Sequence, residues 1–96
     1  MSDEAGRECR AVLEIRNKLG LHARAAVQLV QTAQRFRADV WVSKDGERVS
    51  GRSIMGVMTL AATQGSSIEV EARGDDAPEA LAAISALVDA LFNEEA

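Results

Sequence analysis

Apolar and polar positions alternate over Arg10–Arg16, with Ala11, Leu13 and Ile15 on one side and Arg10, Glu14 and Arg16 on the other. A period of two with β-branched residues predicts a strand with one wet face. Asn17-Lys18-Leu19-Gly20 breaks the pattern, and Gly20 permits a turn closed to most residues. From Ala26 the period becomes helical, and Ala26, Val27, Leu29, Val30, Ala33 and Phe36 form one stripe. Ala38–Lys44 predicts a second strand with Val40 and Val42 inward and Trp41 on the opposite face. Asp45-Gly46 signals a hairpin that returns through Glu47–Ser50. Ser53 is placed to cap a short helix over Ile54–Leu60, and Ser67–Arg73 alternates again with Ile68, Val70 and Ala72 inward. In the last segment Asp76 and Glu79 predict a capping box, with Leu81, Ile84, Leu87, Val88 and Leu91 facing inward. The order is βαββαβα. Each strand keeps one polar face, so the expectation is an α+β sandwich: a four-stranded antiparallel sheet with three helices on one side.

The chain has 96 residues, 47% of them apolar and 27% charged, with a formal net charge of −4. That length suits one domain with one modest core. The expected division is a flexible extension over residues 1–9 and a single domain over residues 10–93. No apolar run approaches a membrane span, and Met1–Cys9 is too acidic and polar for a signal peptide. The lone cysteine, Cys9, cannot form an internal disulfide, which favours a reducing compartment and a cytoplasmic location. One histidine and one cysteine are too few for a structural zinc site, and the acidic balance argues against a nucleic-acid partner. Charge is uneven, however. Residues 10–37 carry six basic side chains against Glu14, whereas residues 66–96 carry eight acids against Arg73. The single histidine, His22, lies in the basic stretch, where an anionic ligand or an acidic partner surface would be favoured. A solvated basic face fits the same charges.

His22 falls at or beside the N-cap of the first helix. First-turn N–H groups lack intrahelical partners and can bind an anion. The positive helix end disfavours imidazolium by about 0.3–1 kcal/mol, which favours a neutral, nucleophilic ring. Arg24 adds a guanidinium fork suited to phosphate oxygens. Together these groups could attach and hold a phosphoryl group; a histidine that merely caps a helix is the simpler alternative. No nucleophile elbow accompanies the serines and no glycine-rich nucleotide loop is present, so neither a serine hydrolase nor ATP binding is indicated.

Asn17-Lys18-Leu19-Gly20-Leu21-His22-Ala23-Arg24-Ala25-Ala26 closely resembles the active-site segment of HPr, the histidine phosphocarrier family of the phosphoenolpyruvate-dependent phosphotransferase system. Ser53-Ile54-Met55-Gly56-Val57-Met58 resembles that family's second motif, which carries a regulatory serine. The likeness extends over nearly all of residues 10–93, and the family's open-faced βαββαβα sandwich agrees with the element order read from periodicity. The resemblance implies that His22 accepts a phosphoryl group on Nδ1 from enzyme I and passes it to an enzyme IIA domain or a regulatory acceptor. The chain would then be a covalent intermediate with no bound cofactor or metal rather than a stand-alone catalyst.

Two partners must use the same histidine in turn, which calls for modest, quickly reversible contacts; a monomer is expected. Leu21, Ile54, Met55 and Met58 are the expected docking residues, with Lys18 and Arg24 complementing an acidic partner. The resemblance also implies regulatory phosphorylation of Ser53 by an HPr kinase/phosphorylase. A regulatory binding module switched at Ser53, without phosphoryl relay, is the rival reading. One departure stands out: Ala25 occupies the position where the family usually has proline.

Overall fold

In the computed structural model, which describes residues 7–94, β1 (Glu8–Glu14) and β2 (Asp39–Lys44) both pair antiparallel with β4 (Ser67–Arg73), and β3 (Glu47–Ser50) completes the sheet beside β2. The strand order is β1-β4-β2-β3. Register follows from the alternation. Ala11, Val70, Val42 and Val49 stand in one row across the four strands, and their neighbours on the same face are Leu13, Ile68, Val40 and Ala72. A one-residue slip in any strand would turn this set to water, which fixes the pairing. β1 starts at Glu8, two residues before the alternation suggests, because Glu8 and Cys9 continue the ladder against Arg73 and Ala72. Residues 1–6 of the expected extension lie outside the described residues.

The outer face is polar, apart from the exposed Val12 and the half-buried Trp41, and braced by charge: Trp41 lies 4.4 Å below the Arg48 guanidinium and 5.9 Å from that of Arg73. The Asp45-Gly46 turn has φ of 52° and 86°, the left-handed pair that a two-residue hairpin needs.

Three helices cover the other face: α1 (Ala23–Gln34), α2 (Ile54–Thr59) and α3 (Ala77–Asp89). α1 buries Ala25, Ala26, Leu29, Val30 and Ala33; α2 buries Val57, with Leu60 just after it; α3 buries Ala77, Ala80, Ile84 and Val88. Leu81, Leu87 and Leu91 are only half-buried, so the inward face of α3 is built from smaller residues than its leucines suggest. After α3 a single turn over Leu91–Asn93 has φ of 60°, 52° and 62°. This left-handed turn drives Phe92 fully into the core. Among the described residues no helix is long and apolar enough to cross a membrane.

The expected capping box at α3 does not form. Asp76 makes no side-chain cap; its carboxylate accepts the N–H groups of Arg37 (2.9 Å) and Ala38 (2.8 Å) instead. Two otherwise unpaired amides on the α1–β2 connection outcompete the helix's own first turn for it. Those N–H donors, the Arg37 amide foremost, hold the Asp76 carboxyl below its ordinary value, although partial burial opposes them. A carboxyl depressed in the folded state contributes stability above its ordinary titration range and loses it as pH falls through the lowered value. Asp76→Asn should therefore flatten part of the acid-side loss of stability below about pH 4, read by urea unfolding across a pH series. An unchanged acid limb would assign that loss to other carboxylates.

Candidate functional site

The segment between β1 and α1 is held by backbone contacts before any functional side chain is considered. Gly20 has a φ of 66°, and a Cβ there would lie 2.4 Å from the Ala62 carbonyl, so only glycine fits. The next residue, Leu21, donates its N–H to the same carbonyl at 2.8 Å. Leu21 is 4% exposed and belongs to the core, which corrects its assignment to a docking patch. The backbone bond to Ala62 holds Leu21 just before α1 with its side chain in the core.

That residue is His22, the N-cap of α1, with extended backbone. Its Nδ1 accepts the Arg24 N–H at 3.3 Å and its carbonyl accepts Ala26 N–H at 2.8 Å. The ring is half-buried, and its other nitrogen, Nε2, is hydrogen-bonded to Glu94 Oε2. A carboxylate oxygen accepts and a backbone N–H donates, so the complementary tautomer has its proton on Nε2 and a lone pair on Nδ1. The nucleophilic nitrogen therefore faces the first-turn amides.

Glu94 was not singled out by sequence reasoning, which read it only as one charge in an acidic C-terminal stretch. It comes from 72 residues away, carried there by the turn anchored at Phe92. Asn17 fixes it from the other side. Fully buried, Asn17 spends its two amide hydrogens on Gly20 O (2.8 Å) and Glu94 Oε1 (3.0 Å). Rotating that amide would set Oδ1 against two acceptors, so its orientation is determined. Burial pushes the Glu94 carboxyl up, yet the hydrogen bonds from Asn17 and His22, with the charges of His22 and Arg24, together hold it below its ordinary value.

These residues line a cleft of about 650 Å³ formed by Lys18, Leu19, His22, Ala23, Arg24 and Glu94. Arg24 and Lys18, both expected near the histidine, are exposed and line it. Two cations, first-turn amides and a ring nitrogen that accepts a hydrogen bond make an open site suited to an anion. Leu19, 65% exposed, joins the cleft as an apolar element that sequence reasoning had left in a turn.

The second motif is held by its own cap. Ser53 Oγ accepts Gly56 N–H at 2.9 Å, and Gly56 matters here because a Cβ on it would lie 3.1 Å from that oxygen. Ile54, Met55 and Met58 are 39%, 71% and 37% exposed on α2, which packs against α1. Three of the four expected docking residues are thus available to a partner. Ala25 is fully buried at the third helical position. Among the described residues no group of three or more His, Cys, Asp or Glu side chains is placed to hold a metal ion.

Comparison with known proteins adds a family to this geometry. Residues 9–90 match the family model described as "PTS HPr component phosphorylation site". The phosphocarrier protein HPr of Neisseria meningitidis serogroup A is 51% identical over 82 residues, covering 85% of this chain and 92% of that protein. The HPr-like protein Crh of Bacillus subtilis is 46% identical over 76 residues, 79% of this chain and 89% of that one. The crystal structure of HPr-C-His from Thermoanaerobacter tengcongensis superposes with a TM-score of 0.88 at 44% identity, covering 92% of this chain and 99% of that one.

Proposed function

This chain belongs to the HPr family of phosphotransferase-system phosphocarriers, and from that membership we propose that His22 is the residue that carries the phosphoryl group. Enzyme I delivers the group to Nδ1, and an enzyme IIA domain or a regulatory acceptor removes it, in the cytoplasm and with the chain acting as a monomer. The observation that carries this reading is the orientation of the ring: Nε2 is engaged by Glu94 while Nδ1 points at the helix N-terminus beside Arg24.

Phosphoryl transfer asks mainly for alignment and for donors around the equatorial oxygens. First-turn amides and the Arg24 guanidinium supply the donors, and Lys18 adds charge in the same cleft. An open cleft also lets a second protein reach the group. Ile54, Met55 and Met58 form the docking surface, adaptable enough to meet two different partners. Their contact is small and reversible, while the basic side chains hasten encounter with an acidic surface.

Phosphorylation of Ser53 by an HPr kinase/phosphorylase is the regulatory arm. Phosphate at the start of α2 would add nearly two negative charges beside the exposed methionines and repel an acidic partner. The Ser53 cap at the start of α2, beside the exposed Met55 and Met58, also fits a second reading, a binding module switched at Ser53 alone. Incubation with phosphoenolpyruvate and enzyme I, followed by intact mass and acid treatment, separates the two. The relay predicts one acid-labile phosphoryl group; an acid-stable adduct that needs ATP and Ser53 would instead favour the switch.

Ala25→Pro, which restores the family's usual residue, should leave phosphorylation of His22 intact and alter its rate by removing a first-turn donor and stiffening the backbone. Stopped-flow mixing with phosphorylated enzyme I reads that rate. Complete loss of phosphorylation would contradict this account of position 25.

A further inference from the structure

We propose that two copies of this chain pair edge to edge along β1, antiparallel about a two-fold axis at Val12, so that their sheets join into one. The proposal goes beyond the carrier reading: each copy keeps its own His22, and a dilute chain still acts alone.

β1 stands at the edge of the sheet, with β4 as its one neighbouring strand. Ile15 gives its N–H to the Ser66 carbonyl (2.8 Å) and takes the Gly65 N–H (2.7 Å), and the Arg7 carbonyl takes the Gly74 N–H (2.9 Å). Odd-numbered residues of β1 therefore turn their backbone groups toward β4, and those of Glu8, Arg10, Val12 and Glu14 point away from the sheet. Such a row of outward N–H and C=O groups is a template for another strand. The Gln64 side chain closes the Arg16 carbonyl at 3.1 Å, which ends the free row at Glu14.

Side chains select the occupant. The even-numbered residues from Glu8 to Arg16 read Glu, Arg, Val, Glu, Arg. Antiparallel pairing with Val12 opposite Val12 sets Arg10 opposite Glu14 and Glu8 opposite Arg16, and the symmetry makes each pair twice. Slipping the partner by two residues sets Glu8 against Glu14 in one direction and Arg10 against Arg16 in the other, and opposed like charges are destabilising. A strand that complements itself at one register fits a second copy through an isologous contact. Val12, 69% exposed, is then covered by its own counterpart. Glu14 and Arg16 form no ion pair with another described residue. Arg10 already reaches Glu69 (3.4 Å) and Glu8 reaches Arg73 (3.2 Å), but exposed pairs of this kind hold their side chains weakly. Directly opposed residues share a face, so the outer faces of the two sheets become continuous and both helical layers lie on the other side.

A seam of one strand pair is far smaller than a standard interface, so Kd should be about 0.1–1 mM. Sedimentation equilibrium across that range should show the average mass rising from one chain toward two. Glu14→Arg places like charges at both symmetric sites and should weaken association about tenfold, as should Arg10→Glu. An equimolar mixture of these two variants should associate about as tightly as wild type, because each meets the opposite charge in the other. Val12→Pro removes an outward N–H that the single chain does not use, so it should keep the fold, checked by circular dichroism, and abolish the seam. A wild type that remains a single chain at the top of the range would overturn the proposal, as would a mixture of the two charge variants that stays unassociated. A dimer indifferent to Glu14→Arg, or one that survives Val12→Pro in the folded chain, would also overturn it, since its contact would lie elsewhere or use the β4-facing groups of an exchanged β1.

Discussion

Phe92→Ala is expected to lower the free energy of unfolding by about 3–5 kcal/mol, the usual cost of emptying a fully buried aromatic site. For a domain of this size the whole margin is roughly 5–15 kcal/mol, so the melting temperature should drop by more than about 12 °C. The reason is local as well as hydrophobic. Leu91, Phe92 and Asn93 all occupy left-handed backbone, a conformation disfavoured for side chains larger than glycine, and burial of the Phe92 ring is what holds the turn there. Removing the ring should also release Glu94, and the His22 ring resonances would then move although residue 92 lies outside the cleft. Thermal unfolding with ring spectra checks both parts. A loss below about 1 kcal/mol would mean that the turn is held by something other than its core anchor.

His22→Ala should abolish acceptance of phosphate from enzyme I while costing about 1–3 kcal/mol in stability, through the lost cap and the lost partner of Glu94. The ring is half-buried, and as a cap it offers one 3.3 Å contact to Arg24 N–H. Caps of that kind contribute about 1 kcal/mol. Chemistry has no such substitute, because the chain contains no other histidine. Intact mass after incubation with phosphoenolpyruvate and enzyme I reads one result, and urea unfolding reads the other. A variant that still gains an acid-labile phosphoryl group would remove His22 from the centre of the account.

The two predictions differ in how visible their residues are in the sequence. His22 can be found there because its signals are local: a turn glycine, a helical period starting beside it and an arginine two positions on. The strands are legible for the same reason, since alternation in Ser67–Arg73 and Arg10–Arg16 is a property of neighbours in the chain. Ser53 and Asp76 have the same local signature, a cap residue before an apolar run, yet only Ser53 caps. Asp76 is taken by amides 39 and 38 residues earlier, and no helix rule anticipates a competitor at that distance. Leu21 fails similarly. An apolar residue beside a reactive one suits a docking patch until the Ala62 carbonyl turns it inward.

Glu94 and Asn17 are the most consequential residues that sequence reasoning missed. Nothing in the letters near either position indicates that they meet. Asn17 looks like a turn residue and Glu94 like part of a solvated acidic tail. Their contact exists because β1 lies at the sheet edge under α3, and the turn after α3 then folds back over the start of α1. The part of the site proposed to hold phosphate lies within ten residues, whereas the contact to the far ring nitrogen depends on the closed fold. A lone histidine at a helix start therefore marks a candidate site locally, and only the closed fold shows which ring nitrogen is engaged by a tertiary partner.

The most direct test is nitrogen-15 and phosphorus-31 spectroscopy on chain labelled in the histidine ring and loaded by enzyme I. The account predicts a phosphorus coupled to Nδ1 of His22, with Nε2 protonated and its proton shifted by Glu94. Phosphorus on Nε2, or no ring-bound phosphorus in a chain that has nonetheless gained phosphate, would contradict it.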